Sequence, residues 1–165
     1  MGNDKSQTRR TRSDLLGALL FVLLLPIIIP VFAGRLVVGL FIYIAVWCWW
    51  CPRGRYVLFV YSDSPIWRDY IEEHILPRLR EHVVVLNWSQ RKRWRHTLAV
   101  LAFRHFGGYR AFNPLAVVFR PLRFARRFRF YEPFHDYKHG KTETLTQMET
   151  ELYDLVDEIT GTQVG

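Results

Sequence analysis

A chain of 165 residues, half of them hydrophobic and with a formal net charge of +8, has room for one modest domain and one further segment. Residues 15–51 hold a single charge, Arg35, in a run that is otherwise apolar or small. No soluble domain of this size could bury that stretch, which excludes a wholly soluble protein.

The apolar run divides naturally at Ala33-Gly34-Arg35 into residues 15–32 and 36–51. Each part is near the roughly 17–25 residues a helix needs to cross the hydrocarbon core. The expected structure is a transmembrane or re-entrant hairpin, with Pro26 and Pro30 kinking its first arm. Lys5, Arg9, Arg10 and Arg12 precede the run, and Arg53 and Arg55 follow it. Basic flanks favour the cytoplasmic side, so two crossings place both the N-terminus (1–14) and the domain after residue 51 there. Trp47, Trp49 and Trp50 fall where interfacial aromatics gather. A cleaved signal peptide ending near Val31-Phe32-Ala33 competes, but the second apolar stretch directly after it fits that reading poorly. MGNDKS also fits the N-myristoylation pattern through Gly2 and Ser6.

The two cysteines, Cys48 and Cys51, close the run as CWWC. They read as small apolar residues finishing a membrane segment. S-acylation, a membrane-edge dithiol and half of a metal site are the alternatives, the last lacking a second ligand pair.

Beyond the run, YVLFVY (56–61) reads as a buried strand. Ser62-Asp63-Ser64-Pro65 follows as a helix start, and Ile66, Trp67, Tyr70, Ile71, Ile75 and Leu79 recur at helical spacing to about residue 80, with Pro77 kinking the pattern. HVVVL (82–86) is a second buried strand. RKRWRH (91–96) is a surface loop or helix start, and residues 98–106 a second helix stopped by Gly107-Gly108. LAVVF (115–119) and FRFY (128–131) read as a hairpin. HDYKH, with His135 and His139 four apart, lies in a polar connector where a metal is a minor alternative. The final helix buries Leu145, Met148, Leu152, Leu155, Val156 and Ile159, with Glu149, Glu151, Asp154, Asp157 and Glu158 largely elsewhere. No repeat or low-complexity tract is present.

This β-α-β-α-β-β-α order resembles that of thioredoxin-like domains, with Pro77 inside the first helix and Pro114 ahead of the third strand in GYRAFNPLAVVFRP. The resemblance covers roughly residues 54–160 and implies an α/β domain (52–160), a tail at 161–165, a structural cis-proline at Pro114 and an antiparallel third strand. The family's redox C-x-x-C lies between the first strand and first helix. Here that turn is Ser62-Asp63-Ser64-Pro65-Ile66-Trp67-Arg68, which supplies no thiolate. A domain of this kind would be redox-inactive.

Two chemical features remain. Loops at the carboxyl ends of parallel strands form ligand crevices, which singles out Ser62, Asp63, Ser64, Arg68, Asn87, Trp88 and Ser89; simple helix capping is the alternative. The second feature is basic and aromatic: Arg91, Lys92, Arg93 and Arg95, then Arg120, Arg123, Arg126, Arg127 and Arg129 among phenylalanines. Residues 52–140 carry 17 Lys/Arg against 7 Asp/Glu, while residues 141–165 carry 1 against 6. Beside a membrane anchor, such a patch points to anionic headgroups or another membrane protein before nucleic acid. No glycine-rich phosphate loop, cofactor motif or catalytic triad is present. The expected function is a membrane-anchored, redox-inactive binding module; the alternative is a small membrane enzyme acting on a phosphate-bearing lipid or nucleotide.

Overall fold

The computed structural model describes residues 4–108 and 113–161, with side chains from residue 21 onward. The myristoylation pattern at Gly2, the 109–112 part of the loop before Pro114 and residues 162–165 lie outside the described residues.

Helix α1, Asp4–Trp49, is continuous. This corrects the expected hairpin: Ala33, Gly34 and Arg35 sit inside the helix, and Gly34 keeps a helical backbone. A lone glycine costs a helix only about 1 kcal/mol, and alanine and arginine are strong helix formers. In an apolar run without water, intrahelical hydrogen bonds are the way to satisfy the backbone, and Pro26 and Pro30 are accommodated within them. The stretch Phe21–Arg53 is apolar and long enough to cross a membrane. Residues 1–40 form one compact unit and residues 41–165 another.

The second unit is a mixed α/β domain around a four-stranded sheet ordered β2-β1-β3-β4. A single 3-10 turn, Cys51–Arg53, with Pro52 in it, ends at Gly54, whose φ of 72° is left-handed and suits glycine. The chain then enters β1 (Val57–Tyr61), which is buried throughout. β1 pairs in parallel with β2 (Val83–Asn87), Phe59 opposite Val85. It pairs antiparallel with β3 (Leu115–Val118), Phe59 opposite Ala116. β4 (Arg126–Arg129) is the antiparallel edge, Phe128 opposite Ala116. The Asn113–Pro114 peptide bond is cis.

The alternation of strand side chains separates two cores. Val57, Phe59, Tyr61, Ala116, Val118 and Phe128 face one side. There they meet α2 (residues 68–79) through Ile71, Ile75 and Leu79, and α5 (Glu143–Thr160) through Leu145, Leu152, Leu155 and Val156. Leu58, Val60, Leu115, Val117 and Phe119 face the other side, against Ala99, Ala102 and Phe103 of α3 (Leu98–Phe106). The last turns of α1 share this second core through Ile42 and Val46, with Trp50 just beyond. Most of the expected second membrane arm is therefore part of the domain.

Three further differences from the sequence reading have local causes. α2 is α-helical at Arg68–Tyr70 and Leu76–Leu79 but π-helical at Ile71–Ile75. The Pro77 ring cannot donate to, and crowds, the carbonyl of Glu73, and a widened turn relieves that conflict. β4 lies two residues earlier than FRFY, because Phe130 already begins the next turn, accepting from the Phe134 N–H at 2.9 Å. The HDYKH connector instead ends helix α4, Tyr131–Lys138, which buries Pro133 and Phe134, with His139 as its C-cap. The His135 and His139 rings stand 4.9 Å apart there.

Candidate functional site

The β1 and β2 carboxyl ends meet as the strand register requires, Tyr61 opposite Asn87. Asn87 Nδ2 donates to Asp63 Oδ1 at 2.7 Å, and Asn87 Oδ1 accepts from the Ser89 N–H at 2.8 Å. Ser89 Oγ accepts from the Asp63 N–H at 3.0 Å, closing a ring of three residues. Ser62 Oγ accepts from Trp67 Nε1 at 3.3 Å, and Ser64 Oγ from the Ile66 N–H at 3.4 Å. These bonds tie the turn after β1 to the end of β2, with Asp63 and Ser89 exposed.

Arg68 turns to Glu72 within range of the Asp63 charge, and Trp88 points elsewhere. Arg68 Nε donates to Glu72 Oε1 at 3.2 Å, and the Tyr61 hydroxyl donates to the same oxygen at 2.7 Å. The two donors hold the Glu72 carboxyl below the usual carboxylate range. Burial, then the Glu72 contact, pushes the Tyr61 hydroxyl up to about 12. Trp88 belongs to the second core, its ring centroid 5.7 Å from Trp94 and 5.6 Å from Phe103. Arg91 lies over Trp88 at 5.1 Å.

The basic residues divide. Arg91, Lys92 and Arg93 lie on an exposed 3-10 segment, Trp88–Arg93, with Arg95 exposed just beyond. Arg126 instead pairs with Glu151 at 2.6 Å and Arg123 with Glu158 at 3.5 Å. The acidic helix α5 thus partly neutralises the hairpin that the sequence reading treated as a free basic face. Both pairs are exposed, so each contributes at most about 1 kcal/mol. Cys48 is exposed and Cys51 half-buried, both free thiols. Among the described residues, no three of His, Cys, Asp and Glu gather as a metal site requires.

A second polar cluster escaped the sequence reading. Glu149 on α5 accepts a hydrogen bond from Tyr70 and faces His74, Arg78 and Tyr153. Tyr70 stacks on His74 at 4.6 Å, and Arg78 covers the Tyr153 ring at 4.1 Å. The available signal was the i, i+4 spacing of Tyr70, His74 and Arg78, matched by Glu149 and Tyr153. One Glu149 carboxylate oxygen is buried without a partner. Burial raises this carboxyl above the ordinary range, against the opposing effects of the Tyr70 hydrogen bond and of the neighbouring His74 and Arg78. Burial, then Glu149, also lifts Tyr70 to about 12.

The folded protein therefore holds the Glu149 proton more tightly than the unfolded chain does. The stability this confers is full at pH below the free glutamate value and is lost as pH rises through the raised folded value. Glu149→Gln keeps the Tyr70 acceptor and removes the titration. It is expected to raise Tm by about 1–2 °C near neutral pH, a modest gain because solvent screens a half-exposed group, and to leave it unchanged near pH 4. Differential scanning fluorimetry of the detergent-held chain at both pH values checks this; an equal shift at both would remove the titration argument.

Fold and site together define a mixed α/β domain preceded by one long apolar helix, with a cross-linked polar turn at the ends of its parallel strands. Comparison with protein-family models, curated protein sequences and solved structures found no match to this chain.

Proposed function

We propose that this chain is a membrane-anchored, thioredoxin-like module without thiol-redox chemistry, whose role is binding at an anionic membrane. The observation that carries the reading is the closed Asp63–Asn87–Ser89 ring, whose polar groups are turned on each other instead of toward a substrate. The sheet order β2-β1-β3-β4, the antiparallel β3 and the positions of Pro77 and Pro114 support the thioredoxin-like part. The absence of cysteine from residues 62–68 supports the redox-inactive part.

A single helix leaves the domain and the basic N-terminus on opposite sides of a bilayer. We assign the domain to the cytoplasmic side, because its basic surface matches an anionic leaflet. The test uses the full chain in lipid nanodiscs, titrated with inorganic phosphate and with a nucleoside triphosphate, beside a disulfide-reduction assay. No saturable binding at the turn and no reductase activity are expected. A saturable phosphate site that disappears in Asn87→Ala would replace this reading with the small-enzyme alternative.

A further inference from the structure

The β3–β4 connection carries the two most exposed large apolar side chains among the described residues, Leu122 at 87% and Phe124 at 92%. Leu122 also has a φ of 56°, in the left-handed region that favours glycine. A leucine held there, with its side chain in solvent, gains nothing from the domain's own core.

The turn is nonetheless well built. The Arg123 N–H donates to the Arg120 carbonyl at 3.3 Å. Arg120 Nε and Nη2 both donate to the Phe124 carbonyl, at 3.3 and 3.2 Å. The Tyr43 hydroxyl reaches the carbonyls of Arg120, at 2.9 Å, and Arg123. The tip is thereby tied to α1 at one residue.

That residue lies where α1 changes surroundings. Ile42 and Val46 are buried in the domain, whereas Phe41 and Ile44 remain 67% and 45% exposed. Exposed apolar side chains run from Phe21 to Ile44, about 36 Å of helix, which spans a hydrocarbon core of about 30 Å with some tilt. Tyr43 thus falls at the level where such a helix leaves the bilayer, the usual depth of interfacial tyrosine. Trp49, with Arg53 over its ring at 4.2 Å, follows one to two turns later.

We propose that Leu122 and Phe124 insert into the bilayer that α1 spans, at the boundary between headgroups and acyl chains, while Arg120 and Arg123 meet anionic phosphates there. The proposal rests on the membrane-anchored reading above and adds a second attachment to it. Apolar side chains flanked by arginines are the composition that interfacial anchors use. The Arg123–Glu158 pair, at 3.5 Å between side chains each more than half exposed, is weak enough to yield to a phosphate. Two attachments, one through the helix and one through the hairpin, would fix the domain's tilt on the membrane.

The test is amide NMR of the full chain in nanodiscs containing phosphatidylserine, with a lipid nitroxide near the headgroup end of the acyl chain. The amide signals of Leu122, Arg123 and Phe124 are expected to be broadened to loss by the nitroxide, and to recover in Leu122→Gly/Phe124→Ser. That variant should fold, since glycine suits the Leu122 backbone and Phe124 is exposed. In discs of phosphatidylcholine alone the broadening should weaken. Sharp tip signals beside a broadened α1 would overturn the insertion while leaving the membrane anchor intact. An α1 that is also unbroadened would overturn both readings. Tip signals that broaden without nitroxide as protein concentration rises would assign the tip to a protein contact instead.

Discussion

Leu24→Arg combined with Val31→Arg is expected to abolish stable membrane integration. Both side chains are exposed on α1, Val31 at 62% and Leu24 at 45%, and they lie seven residues apart on one face. An arginine near the centre of a membrane helix costs roughly 2.5–3.5 kcal/mol on insertion scales, and two of them approach the whole driving force of a single span. Arg35 already lies in this helix, so little margin remains. The parent should stay in the membrane pellet through alkaline carbonate extraction, and the double variant should be released or degraded. The double variant remaining in the pellet would show that something other than α1 anchors the chain. A reporter fused after Gly165 gives sidedness in the same experiment: a cytoplasmic reading is expected there, with the opposite side for a fusion at the N-terminus. Cytoplasmic readings at both ends would restore the two-crossing topology.

Phe119→Ala should cost about 3–5 kcal/mol, a large part of the roughly 5–15 kcal/mol that holds a domain folded. Phe119 is fully buried, and its ring centroid is 5.9 Å from Tyr43, 5.9 Å from Trp50 and 5.4 Å from Phe106. The ring joins the end of α1 to α3 just beyond β3, and truncation leaves a cavity that three large rings cannot readily fill. Thermal unfolding of the detergent-held chain should show a marked loss of Tm, with faster proteolysis after residue 51. Phe124→Ala, at an exposed position, is the control and should leave Tm unchanged. If the two variants behave alike, the aromatic junction carries little stability.

The strand runs were legible in the sequence because both faces of β1 and β3 are covered. A strand buried on both sides must be continuously apolar, as VLFV and LAVV are. Helices α3 and α5 were legible for a related reason. Thr97 caps α3, accepting from the Val100 N–H, and α5 repeats its apolar face over 18 residues. The polar residues at the ends of β1 and β2 were also visible as a group, since parallel pairing alone brings Asp63, Asn87 and Ser89 together. Whether they faced a ligand or each other was not visible, because one side-chain rotamer separates those outcomes.

Only the tertiary structure decided what the apolar run becomes. Residues 36–51 have the composition of a membrane arm, and composition cannot distinguish lipid from a sheet face as the apolar partner. Packing against Leu58, Val117 and Phe119 makes that choice for Ile42, Val46 and Trp50. The same limit hid α4, whose eight polar-rich residues show no period strong enough to predict a helix until Phe134 finds its core. It also hid the pairing of Arg123 and Arg126 with α5, and the half-burial of Glu149 against α2. Local pattern determines which backbone a segment prefers. Which surface that segment meets depends on residues far off in the chain, and those contacts decide its charge and its exposure.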